Sequence, residues 1–73
     1  MERIETLIVE DDKDIVQLYQ TFLPDTVFHK IMVASGATAL KLYEKAKPDI
    51  IILDVMIPQI SGLKVLEEIR KNR

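Results

Sequence analysis

Without a single cysteine, the 73-residue chain can form neither a disulfide nor a thiolate metal site. Tryptophan is also absent, and two tyrosines and two phenylalanines are the whole aromatic complement, so no aromatic platform for stacking bases emerges. The formal net charge is only −2, with the basic residues scattered, which gives no field for holding nucleic acid and no polybasic membrane patch. No apolar run approaches the length of a membrane span, and the first residues, Met1-Glu2-Arg3-Ile4-Glu5, lack the apolar core of a signal peptide. A cytoplasmic location is the expectation that follows. The two glycines, Gly36 and Gly62, are isolated and build no phosphate-cradling loop.

What is present is a soluble-type mixture, 48% apolar and 30% charged, which separates the chain from disordered sequences. Its length leaves room for one small domain or part of one. A core of this size supplies only about 3 to 5 kcal/mol, and with disulfides excluded, the remaining supports are a bound cation or self-association.

The apolar pattern alternates between strand and helix. Thr6-Leu7-Ile8-Val9 ends abruptly at Glu10-Asp11-Asp12, which predicts a buried first strand over residues 5 to 10 opening into an acidic loop. Asp12 is a good N-cap, and Ile15, Leu18, Tyr19, Phe22 and Leu23 follow at helical spacing until Pro24, giving a first helix over about 13 to 23. Residues 27 to 34 are β-branched and apolar but admit His29 and Lys30, as a strand nearer an edge does. Ser35-Gly36 breaks that run, and Ala39, Leu40, Tyr43 and Ala46 form the stripe of a second helix that ends before Pro48. Ile50-Ile51-Ile52-Leu53 is the most apolar stretch and predicts a central strand ending at Asp54. After a loop containing Pro58, Ser61 can cap a third helix carrying Leu63, Leu66 and Ile69, with Arg70, Lys71 and Arg73 near its negative end.

Three alternating β-α units imply parallel strands joined by right-handed crossovers, with helices covering both faces. In such a sheet, ligands bind beyond the carboxyl ends of neighbouring strands whose helices go to opposite faces. If strand one lies between strands two and three, Glu10, Asp11 and Asp12 come beside Asp54. Gathered carboxylates repel one another, and a cation relieves the repulsion. Oxygen-only ligands select a hard ion, and Mg2+ fits best because it takes one or two carboxylates and completes its shell with water and phosphate oxygens. A carboxylate at the centre of such a site can act as a nucleophile and form an aspartyl phosphate.

Three segments together resemble the receiver domains of two-component response regulators: Leu7-Ile8-Val9-Glu10-Asp11-Asp12, Ala34-Ser35-Gly36-Ala37-Thr38-Ala39-Leu40, and Asp54-Val55-Met56-Ile57-Pro58-Gln59-Ile60-Ser61-Gly62. The resemblance covers the whole chain and implies a flavodoxin-like α/β fold with three parallel strands in the order 2-1-3. It makes Asp54 the phosphoacceptor and a Mg2+ ligand, Asp11 a direct Mg2+ ligand, Glu10 its water-mediated or auxiliary partner, and the backbone carbonyl of Met56 a further metal ligand. Asp12 is divided between the acidic pocket and the helix cap. The implied partner is a histidine kinase or phosphotransfer protein, and the implied chemistry is transfer onto the chain itself, not turnover of an outside substrate.

Receivers have five β-α units, and the resemblance reaches the first three, so residues 1–73 are expected to form a partial receiver domain. The family's fourth-strand hydroxyl and fifth-strand lysine have no counterparts here, and Lys64 and Lys71 on the third helix match neither; impaired phosphorylation is the expectation. An open, apolar third strand over residues 50 to 53 predicts a homodimer or higher oligomer through that edge. The alternatives are a non-phosphorylating binding or assembly module, and a piece of a longer response regulator. His29 has no kinase-like surroundings and reads as a surface strand residue, so it receives no role.

Overall fold

The computed structural model describes residues 2–54 and 61–71. Its elements run β1 (Ile4–Val9), α1 (Lys13–Phe22), β2 (Phe28–Val33), α2 (Gly36–Ala46), β3 (Ile50–Leu53) and α3 (Gly62–Lys71). All six expected elements are present, but β3, expected as a central strand from its apolar run, lies at an edge of the sheet among the described residues, and β1 takes the centre because both other strands pair with it. Boundary differences of a residue or two have local causes: Glu10 leaves the extended run at the end of β1, although its N–H still bonds the Val33 carbonyl at 3.0 Å, and Leu23 becomes the C-cap of α1.

The sheet is parallel in the order β2-β1-β3, with Leu7 opposite Ile31 and Ile51, and Val9 opposite Val33 and Leu53. Alternation along the strands gives two faces. Leu7 and Val9 pack with Ala39 of α2 and with Val65 and Ile69 of α3, surrounded by Ile31, Val33, Leu40, Tyr43, Ile51 and Leu53. On the opposite face, α1 is tied down at its C-terminal end by Lys30, whose ammonium donates to the carbonyls of Leu23 and Gln20 and lies 3.2 Å from the Asp25 carboxylate.

The two layers are unequally covered. None of α1 is fully buried, and its predicted apolar stripe is open, with Phe22 73% and Leu18 53% exposed. Ile8 beneath that face is nonetheless fully buried, as are Leu7 and Val9 beside it, because β1 is flanked by strands on both sides. Central position in the sheet, not helical cover alone, therefore protects the strand whose end carries the acidic residues.

Helix ends follow local chemistry. Asp12 Oδ1 accepts the Asp14 N–H at 2.9 Å, Ser35 Oγ accepts the Thr38 N–H at 3.3 Å, and Ser61 Oγ accepts the Lys64 N–H at 3.3 Å. Helix α2 ends before Pro48 as expected, at Ala46, and its C-cap Lys47 takes a left-handed conformation (φ 45, ψ 61) and donates its N–H to the Tyr43 carbonyl.

Candidate functional site

Strands β1 and β3 run side by side and end together, the Asp54 N–H donating to the Val9 carbonyl at 3.0 Å. The helix after β1 lies on one face of the sheet and the helix after β3 on the other, so a crevice opens beyond their carboxyl ends. Into it the fold brings Glu10, Asp11 and Asp54, each offering a carboxylate oxygen within 4.8 Å of the others. Glu10 is buried, Asp54 half-buried and Asp11 exposed, so the cluster is anchored on one side and open on the other.

Asp12 does not join this group. Its carboxylate is engaged at the N-terminus of α1, and the helix-cap half of its divided expectation is the one seen. Met56 and Pro58 lie outside the described residues.

Glu10 is the electrostatically stressed member. Burial pushes its carboxyl above the usual 4.5, the hydrogen bond and charge of Asp54 push the same way, and the backbone N–H groups of Asp12 and Asp11 pull against them. Those two amides donate to Oε2 of Glu10 at 3.2 and 3.1 Å. Beside the cluster a shallow hollow of about 260 Å³ is lined by Glu10, Asp11, Lys13, Val16, Met32, Val33 and Ala34. Lys13 was not singled out by sequence reasoning, because a charged first residue of a helix is ordinary; only the fold turns it toward a hollow shared with two carboxylates.

The donor set suits a hard divalent cation. An ion with ligand distances of about 2.1 to 2.6 Å would accept oxygens up to about 4 to 5 Å apart, and one oxygen from each of the three carboxylates lies within 4.8 Å of the others. Among the described residues no nitrogen or sulfur ligand accompanies the three carboxylates, a donor set that disfavours softer transition metals. No helix among the described residues is long and apolar enough to cross a membrane.

A family model for the response regulator receiver domain matches residues 6–73. Among curated proteins, the alkaline phosphatase synthesis transcriptional regulatory protein PhoP of Bacillus subtilis is 39% identical over 67 residues, which is 92% of this chain and 28% of that protein. The regulatory protein VanRc of Enterococcus gallinarum is 38% identical over 65 residues, covering 89% and 28%. Among solved structures, the signal receiver domain of a Vibrio parahaemolyticus protein described as a Luxo repressor aligns with a TM-score of 0.89 at 35% identity, over 97% of this chain and 55% of that one. A DNA-binding response regulator of the LuxR family from Staphylococcus aureus aligns at 0.82 and 33% identity, over 94% and 59%. The chain thus spans 28% of these curated relatives and little more than half of these solved chains.

Proposed function

The chain belongs to the response regulator receiver domains of two-component systems, and from that premise we propose that Asp54 is its phosphoacceptor, working over a Mg2+ site formed with Asp11 and Glu10. Receivers are signalling domains rather than enzymes that turn over a substrate, they bind Mg2+ at an acidic site, and they interact with histidine kinases or phosphotransfer proteins. The observation that carries the reading is the convergence of Glu10, Asp11 and Asp54 within 4.8 Å at the shared end of β1 and β3.

Asp54 is suited to be the nucleophile because it stands at the strand end, half-buried, with its backbone locked into the sheet by the bond to Val9. Its carboxylate oxygen attacks phosphorus. A P–O bond forms, the bond from phosphorus to the donor's nitrogen or oxygen breaks, and the electron pair leaves with the donor. Mg2+, when bound, neutralises charge on the carboxylates and on the transferring phosphoryl oxygens. Asp11 and Asp54 would hold that ion, with Glu10 as its water-mediated or auxiliary partner, and the Met56 carbonyl would be a further ligand by resemblance. The phosphoryl source is a histidine kinase phosphohistidine, a phosphotransfer protein or a small acyl phosphate. The chain works without nucleic acid or membrane as its own ligand, in the cytoplasm.

Intact-mass measurement after incubation with acetyl phosphate and Mg2+ tests the assignment. One phosphoryl group is expected on the parent and none on Asp54→Asn. Label that persists in the variant removes Asp54 from the role, and a folded parent that takes no label leaves a cation-binding module instead. We further propose that residues 1–73 act as a partial receiver that self-associates through the edge of β3, where Ile50 is 42% exposed. Sedimentation at micromolar concentration is expected to show a dimer or larger species, and a single monomeric species refutes it.

A further inference from the structure

We propose that Glu10 is a positioning residue for the acidic site, holding the β1–α1 loop so that Asp11 faces Asp54; the proposal rests on the cation-binding reading above. The loop is only residues 10–12, and each of its amides is bound. The Glu10 N–H donates to the Val33 carbonyl at 3.0 Å. The Asp11 and Asp12 N–H groups both donate to one oxygen, Glu10 Oε2, at 3.1 and 3.2 Å. Asp12 then starts α1, its carboxylate taking the Asp14 N–H and its carbonyl the Val16 N–H at 3.0 Å.

A single side-chain oxygen thus closes the loop onto the end of β1. It belongs to a residue only 7% exposed, whose backbone is fixed to β2, so the acceptor has little freedom to move. Asp11 is exposed, and the aim of its carboxylate is set by the backbone beneath it rather than by packing. Glu10 therefore acts on the site in two separable ways. Its charge attracts a cation directly, whereas its acceptor oxygen fixes the path of the chain through Asp11. The loop bonds need the oxygen and not the charge, and a carboxamide supplies that oxygen from a side chain of the same length.

Comparison of Glu10→Gln with Glu10→Met, which keeps length but offers no comparable acceptor, separates the two; Glu10→Ala checks that length is not the cause and replaces the Met variant should that one not fold. Amide hydrogen exchange on the full chain, without divalent ions, is expected to protect Asp11 and Asp12 equally in the parent and Glu10→Gln. In Glu10→Met the same amides should exchange at least about tenfold faster than in the parent, relative to the strand amides. Mg2+ affinity by calorimetry is expected to fall about tenfold in Glu10→Gln and about tenfold further in Glu10→Met. A role confined to stability leaves the folded variants with equal affinity. Equal affinity in Glu10→Gln and Glu10→Met, or parent-like exchange of both amides in Glu10→Met, overturns the proposal. A folded parent that binds no Mg2+ overturns the cation reading instead, while the exchange data still decide the role of the loop.

Discussion

Replacing Asp54 by asparagine should make the cation-free chain more stable, although it removes the proposed reactive group. Glu10, Asp11 and Asp54 form three like-charged pairs with oxygens within 4.8 Å. Each pair costs about 1 kcal/mol in water and about 3 to 4 kcal/mol at an effective dielectric of about 20. With Asp11 exposed and only Glu10 buried, the cost lies toward the lower end. Asp54→Asn deletes two of the three pairs and gives Glu10 an amide donor at the same place. After allowance for salt screening and for repulsion remaining in the unfolded chain, a net gain of about 1 to 2 kcal/mol is expected. Urea unfolding at neutral pH in low salt with a chelator measures it. With a slope of about 1 kcal/mol per molar urea, the midpoint should rise by about 1 to 2 M. Saturating Mg2+ should narrow or reverse the difference, because a ligand at a hundredfold excess over its Kd adds about 2.7 kcal/mol to the protein that binds it. An unchanged or lower midpoint for Asp54→Asn in chelator refutes the picture of a site strained by its own charge.

The raised carboxyl of Glu10 fixes the sign of a pH effect: its charged form is disfavoured in the fold, so this contribution is fully present below about 4.5 and is lost as pH rises through the folded-state value. The difference in urea midpoint between the parent and Glu10→Gln, followed over that window in chelator, should show the loss; a difference independent of pH shows that Glu10 is not the group responsible. Lys47→Gly should stabilise by about 0.5 kcal/mol, since relief of the left-handed backbone, about 1 kcal/mol, is partly offset by the greater freedom of glycine in the unfolded chain. A small rise in Tm is the readout, and a fall contradicts it. Lys30→Met should cost about 2 kcal/mol, because the Leu23 and Gln20 carbonyls lose a buried charged donor. The Asp25 partner is 84% exposed and adds little, so Asp25→Asn should change the urea midpoint hardly at all.

The parts of the molecule legible in the sequence are those whose signal is local or periodic. Ile50 to Leu53 could be assigned as a strand because a four-residue apolar run between Pro48-Asp49 and Asp54 is too short for a helix, and the two expected caps, Asp12 and Ser61, each satisfy a helix amide as their residue types suggest. The meeting of Glu10 and Asp11 with Asp54 was legible only through the strand order, since nothing within either segment records that the other is near. Two features escaped. The left-handed Lys47 was hidden because lysine carries no preference for that conformation, and Pro48 beside it supplied a sufficient reason for the helix to stop. Lys30 read as a tolerated polar residue of an edge strand, whereas its ammonium is folded inward against the C-terminal carbonyls of α1. The apolar spacing of α1 was legible as well, but periodicity reports only that a face can be covered, and among the described residues Phe22 and Leu18 are left open.

These misses bear on how the site is held. The side of β1 that faces α2 and α3 is packed by buried Val65, Ile69 and Ala39, whereas the side that faces α1 depends on a partly exposed helix fastened at one end by Lys30 and at the other by the Asp12 cap. Helix α1 begins immediately after the acidic loop, so whatever loosens α1 also loosens the backbone on which Asp11 rides. Cation binding acts in the opposite sense. A cation held by Asp11 and Asp54 would tie the start of α1 to the end of β3, across a boundary that the apolar core of the described residues leaves weakly joined. If the proposed cation binds, metal affinity and the local order of α1 are coupled, and each must raise the other by the same factor. Lys30→Met, placed at the far end of α1 and touching none of the three carboxylates, accordingly should weaken Mg2+ binding as well as stability. The expected loss is a few-fold, a small part of the roughly 2 kcal/mol lost from the fold, because only the opening of α1 in the still-folded chain is communicated to the site. Calorimetric titration of the folded variant checks the coupling, and an affinity equal to the parent's would mean that the loop keeps its shape without help from the helix.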